Sequence, residues 1–436
     1  MTPRPYPAST ESSRRDGSPG GAAASCHRPR WALFLTACLL LALACEKQAP
    51  DRSDLNASGT TATTTRPAAS TENARPDPLE VARERLRRAE SGLDAFCSQR
   101  GCPGATLGFV LPDGGSGGVA VGVSRKGAPR KMKPTDRMFS GSIGKTFVAA
   151  VVFRLVEEGR LDLDAKVGRW FAGNAWFQRL PNAKDLTLRT LLSHTSGVPD
   201  HIATPGWRAR VSAEPQKVWR PEELLAYVLD AEPLFAVGQG WSYADTNYIV
   251  VGMIIERATG RSFYEELTDR ILTPLHLRGT SPADRPELTG LVSGYTARGE
   301  AFGLPTEVAA DGRYAMNPQV EWTGGGLITN AHDLARWAWL LYGGRVLSEE
   351  SLQRMLEAVP TGDDSGEQYG LGVGIRPSRH GQVLGHSGWV PGYCSAMAYY
   401  PDHRLAVAVQ VNTDLGVDRF VLATLLDDVA AELADH

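Results

Sequence analysis

Apolar residues recur at three- and four-residue steps over residues 78–101, and this spacing predicts an amphipathic helix. The apolar positions of this helix are Leu79, Ala82, Leu86, Ala89, Leu93 and Phe96. Pro78 suits a first helical turn and Gly101 suits a helix end. A second amphipathic pattern predicts a final helix from about Asp418 to Leu433. Helices are therefore expected at both ends of the folded part of the chain.

Short apolar runs follow the first helix and recur before the last one. "GATLGFVL" and "GVAVGV", joined by "PDGGSG", predict a two-stranded hairpin, and "GQVLGHSG", "CSAMAYY" and "RLAVAVQVN" predict three further strands. Between Leu155 and Ile328 the pattern indicates mostly helices and loops. The expected fold class is α/β (α+β), with one antiparallel sheet built from distant segments, flanking helices and a helical subdomain inserted at about 166–320.

Residues 1–44 have the layout of a secretory signal. Two arginines precede the apolar run 31–43, which is too short to span a bilayer comfortably, and small residues stand at a cleavable position before Cys45. "LLLALAC" resembles a bacterial lipoprotein signal, in which the cysteine after the cut carries lipid, and ordinary cleavage after Ala44 is the alternative. We therefore expect an exported protein of the periplasm or cell envelope, anchored to a bacterial membrane through Cys45.

The segment that follows, 45–77, predicts a disordered tether. It is rich in Thr, Ser, Ala, Asn and Pro and almost free of large apolar side chains, so burial cannot offset the entropy of ordering it. The folded domain is accordingly assigned to 78–436.

Composition describes an ordinary globular enzyme and argues against nucleic-acid binding. The 436 residues are 42% hydrophobic and 22% charged, with a formal net charge of -3. Lys and Arg are scattered, so no basic face for nucleic acid is expected. Cys97 and Cys102 suit a local disulfide in an oxidising compartment, a metal clip being the other interpretation, and Cys394 is expected to be a buried strand residue.

Two chemistries compete for the stretch "FSGSIGKTFVAAVV". Gly144-Lys145-Thr146 resembles the end of a phosphate-binding loop, but that loop needs a glycine where Phe139 stands. Ser142 and Lys145 form Ser-x-x-Lys, and the apolar run that follows predicts a buried helix with Lys145 pointing inward. A buried lysine that is neutral or shares its proton can activate the serine oxygen one helical turn away. The alternative is a helix N-cap serine followed by a solvated lysine.

A wider set of motifs resembles the serine beta-lactamase-related hydrolases, in the branch of class C beta-lactamases, D-alanyl-D-alanine carboxypeptidases and related esterases. The resemblance covers roughly residues 100 to 415 and implies the beta-lactamase/transpeptidase-like fold. The motifs, in family order, are "FSGSIGKTFVAAVVFRLVEEGRLDLDAKV", "LTLRTLLSHTSGVPD", "WSYADTNYIVVGMIIERATG", "TPLHLRGT", "TGGGLITNAHDLARW", "YGLGVGI" and "GHSGWVPGY".

This resemblance implies catalytic roles for Ser142 as acylated nucleophile, Lys145 as its proton partner and Tyr243 as a proton relay. Held between cations, Tyr243 is expected to work below its usual pKa near 10. Asp245 falls on the family's Asn position and, when ionised, only accepts hydrogen bonds, which bears on substrate binding. An N-cap for the following helix is its alternative role.

The family's Lys-Thr-Gly strand corresponds here to His386, Ser387 and Gly388. His386 supplies positive charge only when protonated, Ser387 can donate to a substrate carboxylate, and Gly388 leaves room for substrate. The backbone N–H of Trp389, with that of Ser142, would form the oxyanion hole.

Other catalytic arrangements have less support. A Ser142–His194–Asp200 triad can be composed, but His194 lies where the family has a structural loop, so we expect it to be a scaffold residue. No metal site or cofactor is expected, because the nine histidines form no ligand cluster.

The sequence as a whole predicts a serine hydrolase that works through a Ser142 acyl-enzyme. D-alanyl-D-alanine carboxypeptidase-like or D-peptide hydrolysis is favoured, on a small-molecule or peptide substrate with a free carboxylate. A carboxylesterase and a class C-like beta-lactamase are alternatives, and a non-turnover penicillin-binding or sensor module is an alternative of another class.

Overall fold

A computed structural model describes residues 78–362 and 365–434 of the chain. The predicted signal at 1–44, the tether at 45–77 and the lipidation site Cys45 lie outside these residues, so they stay predictions. Among the described residues, no helix has the length and apolar character needed to cross a membrane.

An eight-stranded antiparallel sheet forms the centre of the fold, and its strand order is β2-β1-β13-β12-β11-β10-β9-β8. Two small sheets, β3-β7-β4 and β5-β6, lie beside it. The strands are β1 Gly104–Val110, β2 Ser116–Gly122, β3 Met138–Phe139, β4 Ser281–Pro282, β5 Ala309–Ala310, β6 Arg313–Tyr314, β7 Leu327–Thr329, β8 Val359–Pro360, β9 Gln368–Tyr369, β10 Gly374–Ser378, β11 Gly381–Val390, β12 Tyr393–Tyr400 and β13 Leu405–Val411. The first hairpin thus joins strands from the far end of the chain, as the sequence predicted.

Helices cover both faces of this sheet and fill the middle of the chain. The α-helices are α1 Pro78–Arg100, α2 Gly144–Glu157, α3 Gly168–Phe171, α4 Leu188–Leu192, α5 Pro205–Ala213, α6 Pro221–Leu225, α7 Asp245–Thr259, α8 Phe263–Leu267, α9 Ala331–Tyr342, α10 Glu349–Met355 and α11 Arg419–Ala434. Short 3₁₀ turns span Gly141–Ile143, Phe177–Arg179, His201–Ala203, Gly299–Phe302, Pro318–Val320, Trp322–Gly324 and Pro401–His403, and a π turn spans Thr268–Leu272. The predicted first and last helices are confirmed to within two residues.

The two faces of the sheet belong to two hydrophobic clusters. Every residue of β12 is buried, and successive side chains alternate between the clusters, because strand side chains point to opposite faces in turn. Met397 packs in the cluster that contains α2, α7 and α9, whereas Cys394 packs with α1 and α11. The expected burial of Cys394 in a strand is therefore confirmed.

Helix α2 is held in the interior by contacts on every side. The ring of Phe147 stacks on Trp337 of α9 with centroids 4.2 Å apart, and the Trp337 indole N–H donates to Thr146 Oγ1 at 2.8 Å. The turn before α2 is tied to the sheet, since Ser395 Oγ donates to the Ser140 carbonyl at 2.6 Å. The sheet and α9 together fix the position of the α2 N-terminus, where the candidate site lies.

Candidate active site

Ser142 lies in the 3₁₀ turn that leads into α2, and it is partly exposed. Ile143, not Ser142, stands at the N-cap position of α2, so the N-cap interpretation of this serine is wrong. Gly141 has φ +51°, and a Cβ there would lie 2.5 Å from the backbone N of Trp389. Glycine thus allows the turn to pack directly against β11.

Lys145 is completely buried, as the apolar helix predicted, with 0% of its side chain exposed. Its Nζ donates to Ser142 Oγ at 3.1 Å and to the carbonyl of Gly324, and it forms an ion pair with the Asp245 carboxylate. Burial alone would lower the pKa of Lys145, but the Asp245 carboxylate and the nearby Tyr243 raise it above its ordinary value. The resting lysine is therefore an ammonium.

Asp245 is the first residue of α7, and its carboxylate is buried beside Lys145. Ala244 stands at the N-cap position, and its side chain makes no capping hydrogen bond. The N-cap role suggested for Asp245 is therefore wrong. The backbone N–H of Asp245 donates to Asp200 Oδ1 at 3.1 Å. The carboxylate at the family's Asn position thus serves as the counter-ion of the lysine.

Tyr243 faces the same ammonium, with its ring centroid 4.9 Å from Lys145 Nζ. Its hydroxyl is buried near Ser142 and Lys145 but makes no hydrogen bond of ordinary geometry with the described residues. Burial raises the pKa of Tyr243 to about 12, although the Lys145 charge acts in the opposite direction. The expectation of a lowered pKa is therefore wrong, because desolvation outweighs the single nearby cation.

His386 joins the site from β11, and its ring centroid lies 6.3 Å from that of Tyr243. Nδ1 donates to the Ser387 carbonyl at 2.6 Å, and Nε2 lies 2.9 Å from the Tyr369 hydroxyl, which can donate to a neutral ring. Desolvation, assisted by the Lys145 charge, lowers the pKa of His386 to about 4. His386 is accordingly uncharged at neutral pH.

The other predicted site residues on β11 are Ser387, Gly388 and Trp389. Ser387 lines a cavity of about 320 Å³ between the sheet and α11, and His386 lines the same cavity. Gly388 and Trp389 meet the turn before α2 through their backbones, and a Cβ on Gly388 would lie 1.9 Å from the Ser140 carbonyl oxygen. The Trp389 N–H is thus close to the nucleophile turn, where the oxyanion hole was predicted.

The Ser142–His194–Asp200 triad is not assembled. His194 Nδ1 accepts from the Ala244 N–H at 3.2 Å and lies 3.1 Å from the Asn247 amide nitrogen, so Nδ1 has no N–H to donate to Asp200 as the triad requires. Asp200 Oδ1 bonds backbone N–H groups instead. The side chain of His194 packs 4.2 Å from the Tyr243 ring, which agrees with a scaffold role.

Several neighbours of the site were not assigned by sequence reasoning. Gly324 stands in "TGGG" and Tyr369 in "YGLGVGI", two motifs that carried the resemblance without a stated role. Desolvation and the Asp245 charge raise the pKa of Asp200 to about 7 and that of Glu321 to about 8. No local spacing relates these carboxyls to Ser142, because only the fold brings them together.

Across residues 78–362 and 365–434, no group of three or more His, Cys, Asp or Glu side chains is placed to hold a metal ion.

Residues 86–431 match the family model described as Beta-lactamase, which covers most of the chain and all of the site described above. The chain belongs to the beta-lactamase family. As expected from the resemblance, the antiparallel sheet and its flanking helices are those of the beta-lactamase and penicillin-binding-protein fold.

Three curated proteins are similar to this chain over more than half of its length. Penicillin-binding protein 4* of Bacillus subtilis is 27% identical over 63% of this chain and 60% of its own length. Penicillin-binding protein 4 of Amycolatopsis lactamdurans is 29% identical over 78% of this chain and 88% of its own. D-aminopeptidase of Brucella anthropi is 25% identical over 66% of this chain, which spans 52% of that relative.

Solved structures of the beta-lactamase family agree with the fold. A D-stereospecific amidohydrolase from a Streptomyces species superposes with a TM-score of 0.68 at 28% identity, over 78% of this chain and 98% of its own. A D-amino acid amidase from Ochrobactrum anthropi, at 24% identity and a TM-score of 0.68 over 80% of this chain and 98% of its own, supports the fold alone.

Proposed function

We propose that this beta-lactamase-family hydrolase cleaves small D-configured amino acid amides and short D-peptides through acylation of Ser142. Ser142 would attack the carbonyl carbon, the amine would leave, and water would release the acid. The D-aminopeptidase and D-stereospecific amidohydrolase relatives support this substrate class.

The hydrogen bonds of His386 carry the choice of substrate, because Nδ1 donates to the Ser387 carbonyl and Nε2 lies 2.9 Å from the Tyr369 hydroxyl, so both ring nitrogens already have protein partners. A substrate carboxylate needs a cation or several donors. The Lys145 ammonium is buried and paired with Asp245, and Arg419, which lines the cavity beside His386, is paired with Glu367. The carboxyls of Asp245, Asp200 and Glu321 lie close enough for the Asp245 charge to raise the pKa of the other two. A substrate with a free α-ammonium relieves that repulsion, whereas a carboxylate adds to it.

Arg298 favours a second candidate, the predicted carboxypeptidase-like activity. Its guanidinium lies 5.0 Å from the ring centroid of Trp389, whose backbone N–H is the predicted oxyanion donor, and Arg298 is exposed. Guanidinium groups bind carboxylates in a bidentate manner, so Arg298 could hold the end of a peptide.

Steady-state hydrolysis of four probes separates these candidates: D-phenylalanine amide, its L-enantiomer, its N-acetyl derivative and acetyl-D-alanyl-D-alanine. We expect D-phenylalanine amide to be the best substrate and Ser142→Ala to abolish turnover. Preference for acetyl-D-alanyl-D-alanine, lost in Arg298→Ala, would instead establish the carboxypeptidase. A single burst without turnover on every probe would identify a sensor module.

The cellular location is a separate part of the proposal. We infer export and lipid attachment at Cys45 from "LLLALAC" and the tether composition alone. Metabolic labelling with a fatty acid, compared between the full chain and Cys45→Ser, tests it, because loss of label in the variant is required.

A further inference from the structure

The Lys145 ammonium lies near the Tyr243 hydroxyl and contacts three further groups that can accept its three N–H hydrogens. These are Ser142 Oγ at 3.1 Å, the Gly324 carbonyl and the Asp245 carboxylate. An ammonium with all three hydrogens engaged has no lone pair to take a proton from Ser142. In the resting site, Lys145 therefore cannot be the base by itself.

The titratable groups around this ion pair come from every packed element. They are Asp200, Glu321, Tyr243, Tyr248, His194, His201 and His386. Both tyrosines hold their protons, since burial raises their pKa values. Asp245 is the carboxylate that touches Nζ, whereas Asp200 contacts Asp245 through the backbone.

Burial of the Lys145–Asp245 ion pair lowers the free-energy cost of moving one proton from the ammonium to the carboxylate. Two opposite charges in a poorly solvated interior can be replaced by a neutral amine and a neutral carboxylic acid without exchanging a proton with water. Rotation about the Cε–Nζ bond would then turn the lone pair of the amine towards Ser142.

We propose that Asp245 is the final proton acceptor for acylation and acts through Lys145. Nζ gives one proton to Asp245 and then takes the Oγ–H proton as Oγ bonds to the substrate carbonyl carbon. The carbonyl π electrons move to oxygen, Lys145 is again an ammonium, and Asp245 is a carboxylic acid. When the intermediate collapses, the leaving group takes its bonding electrons, and the proton on Asp245 returns through Lys145 to an amine leaving group. Asp245 is thus a positioning residue, and the proposal rests on Ser142 being the nucleophile.

The pH dependence of acylation distinguishes this route from direct base catalysis by Lys145. The reactive form has the same number of protons as the resting form, so kcat/KM should be flat from about pH 7 to 9 apart from the smaller change that the ionisation of Asp200 and Glu321 causes in this range. If Lys145 first had to lose its proton to water, kcat/KM would rise about tenfold per pH unit over that range, because the pKa of Lys145 is raised.

The experiment is the rate of p-nitrophenyl acetate acylation from about pH 5 to 10, with Ser142→Ala subtracted as background. Its leaving group needs no proton, so the rate reports the base alone. We expect a flat wild-type profile, and in Asp245→Asn a roughly 100-fold loss near pH 6 that is regained about tenfold per pH unit as Lys145 deprotonates to water.

A wild-type profile that rises about tenfold per pH unit, or an Asp245→Asn profile that coincides with wild type, would overturn the proposal while leaving Ser142 as nucleophile. The wild-type profile alone decides the matter if Asp245→Asn does not fold. If Ser142→Ala reacts as fast as wild type, both the proposed function and the proton transfer from Ser142 through Lys145 to Asp245 are refuted.

Discussion

The rings of Tyr243 and Tyr248 both face the buried ammonium of Lys145, with centroids 4.9 and 5.4 Å from Nζ, but their hydroxyls have different surroundings. Tyr248 donates to the Leu192 carbonyl at 3.0 Å, whereas the buried Tyr243 hydroxyl lacks a well-formed hydrogen bond to any residue that the structure describes. Tyr248 therefore holds the scaffold together, and Tyr243 keeps its hydroxyl available for substrate.

Tyr243→Phe should lower kcat and raise stability together. Removing a proton relay costs about 100-fold or more in rate, and removing a buried hydroxyl without a good partner stabilises the fold by about 1 kcal/mol. Tyr248→Phe should do the reverse, losing about 1 kcal/mol with a small effect on rate. Urea unfolding and steady-state kinetics on both variants test this. A stability loss in Tyr243→Phe would show that its hydroxyl is well bonded.

Gly388→Ala should separate β11 from the nucleophile turn. The added Cβ would lie 1.9 Å from the Ser140 carbonyl oxygen and 2.7 Å from Ser395 Oγ, so the turn must move. Displacement of the oxyanion donors is expected to cost about 100-fold in kcat/KM. Gly173→Ala, where no atom lies within 4 Å of the new Cβ, is the control and should retain wild-type rates. Equal activities in the two variants would contradict the close packing of β11 on the turn.

His201 should make the fold sensitive to acid. Burial lowers its pKa to about 4, and its Nδ1 lies 3.0 Å from Thr246 Oγ1. Because the folded pKa lies below the unfolded one, this contribution to stability is present above about pH 6.5 and is lost as pH falls towards 4. Relative to His201→Asn, wild type should lose about 2 kcal/mol between about pH 7 and pH 5. If the free energy of unfolding changed with pH in the same way in wild type and His201→Asn, a buried neutral His201 would be refuted.

Cys97 and Cys102 should form a disulfide under oxidising conditions. Both thiols are free here, but they lie close enough to interact, and the Cys102 N–H donates to the Cys97 carbonyl at 3.1 Å. Oxidised glutathione should remove two hydrogens from the intact mass and stabilise the fold by about 2 kcal/mol. The single variant Cys97→Ser should show neither change. An unchanged mass in wild type would leave the pair as thiols.

The fold could be predicted because its signals are local. The helix at 78–100, the β1–β2 hairpin and the strands at the end of the chain each repeat apolar residues at the spacing of their own geometry. Ser142 and Lys145 could be paired because three residues along a helix bring side chains to one face.

The electrostatics of the site could not be predicted in the same way. Whether Tyr243 and His386 are charged depends on how much protein surrounds them and on which acids come from other segments. Asp245 illustrates this, because its position at the start of α7 suggests a cap, whereas its partner Lys145 lies 100 residues earlier in the chain. Charge states follow from tertiary packing, which no single motif encodes.

Strand β10 pairs with β11 only as far as Gly385, so the β11 backbone at 386–390 has β12 on one side and no paired strand on the other. Edges of this kind accept an extended chain as an added strand. For the peptide substrates proposed above, the length of β10 would therefore limit how much of this edge is accessible. Each further residue of β10 would cover part of the edge beside Ser142, and each residue removed would expose more of it.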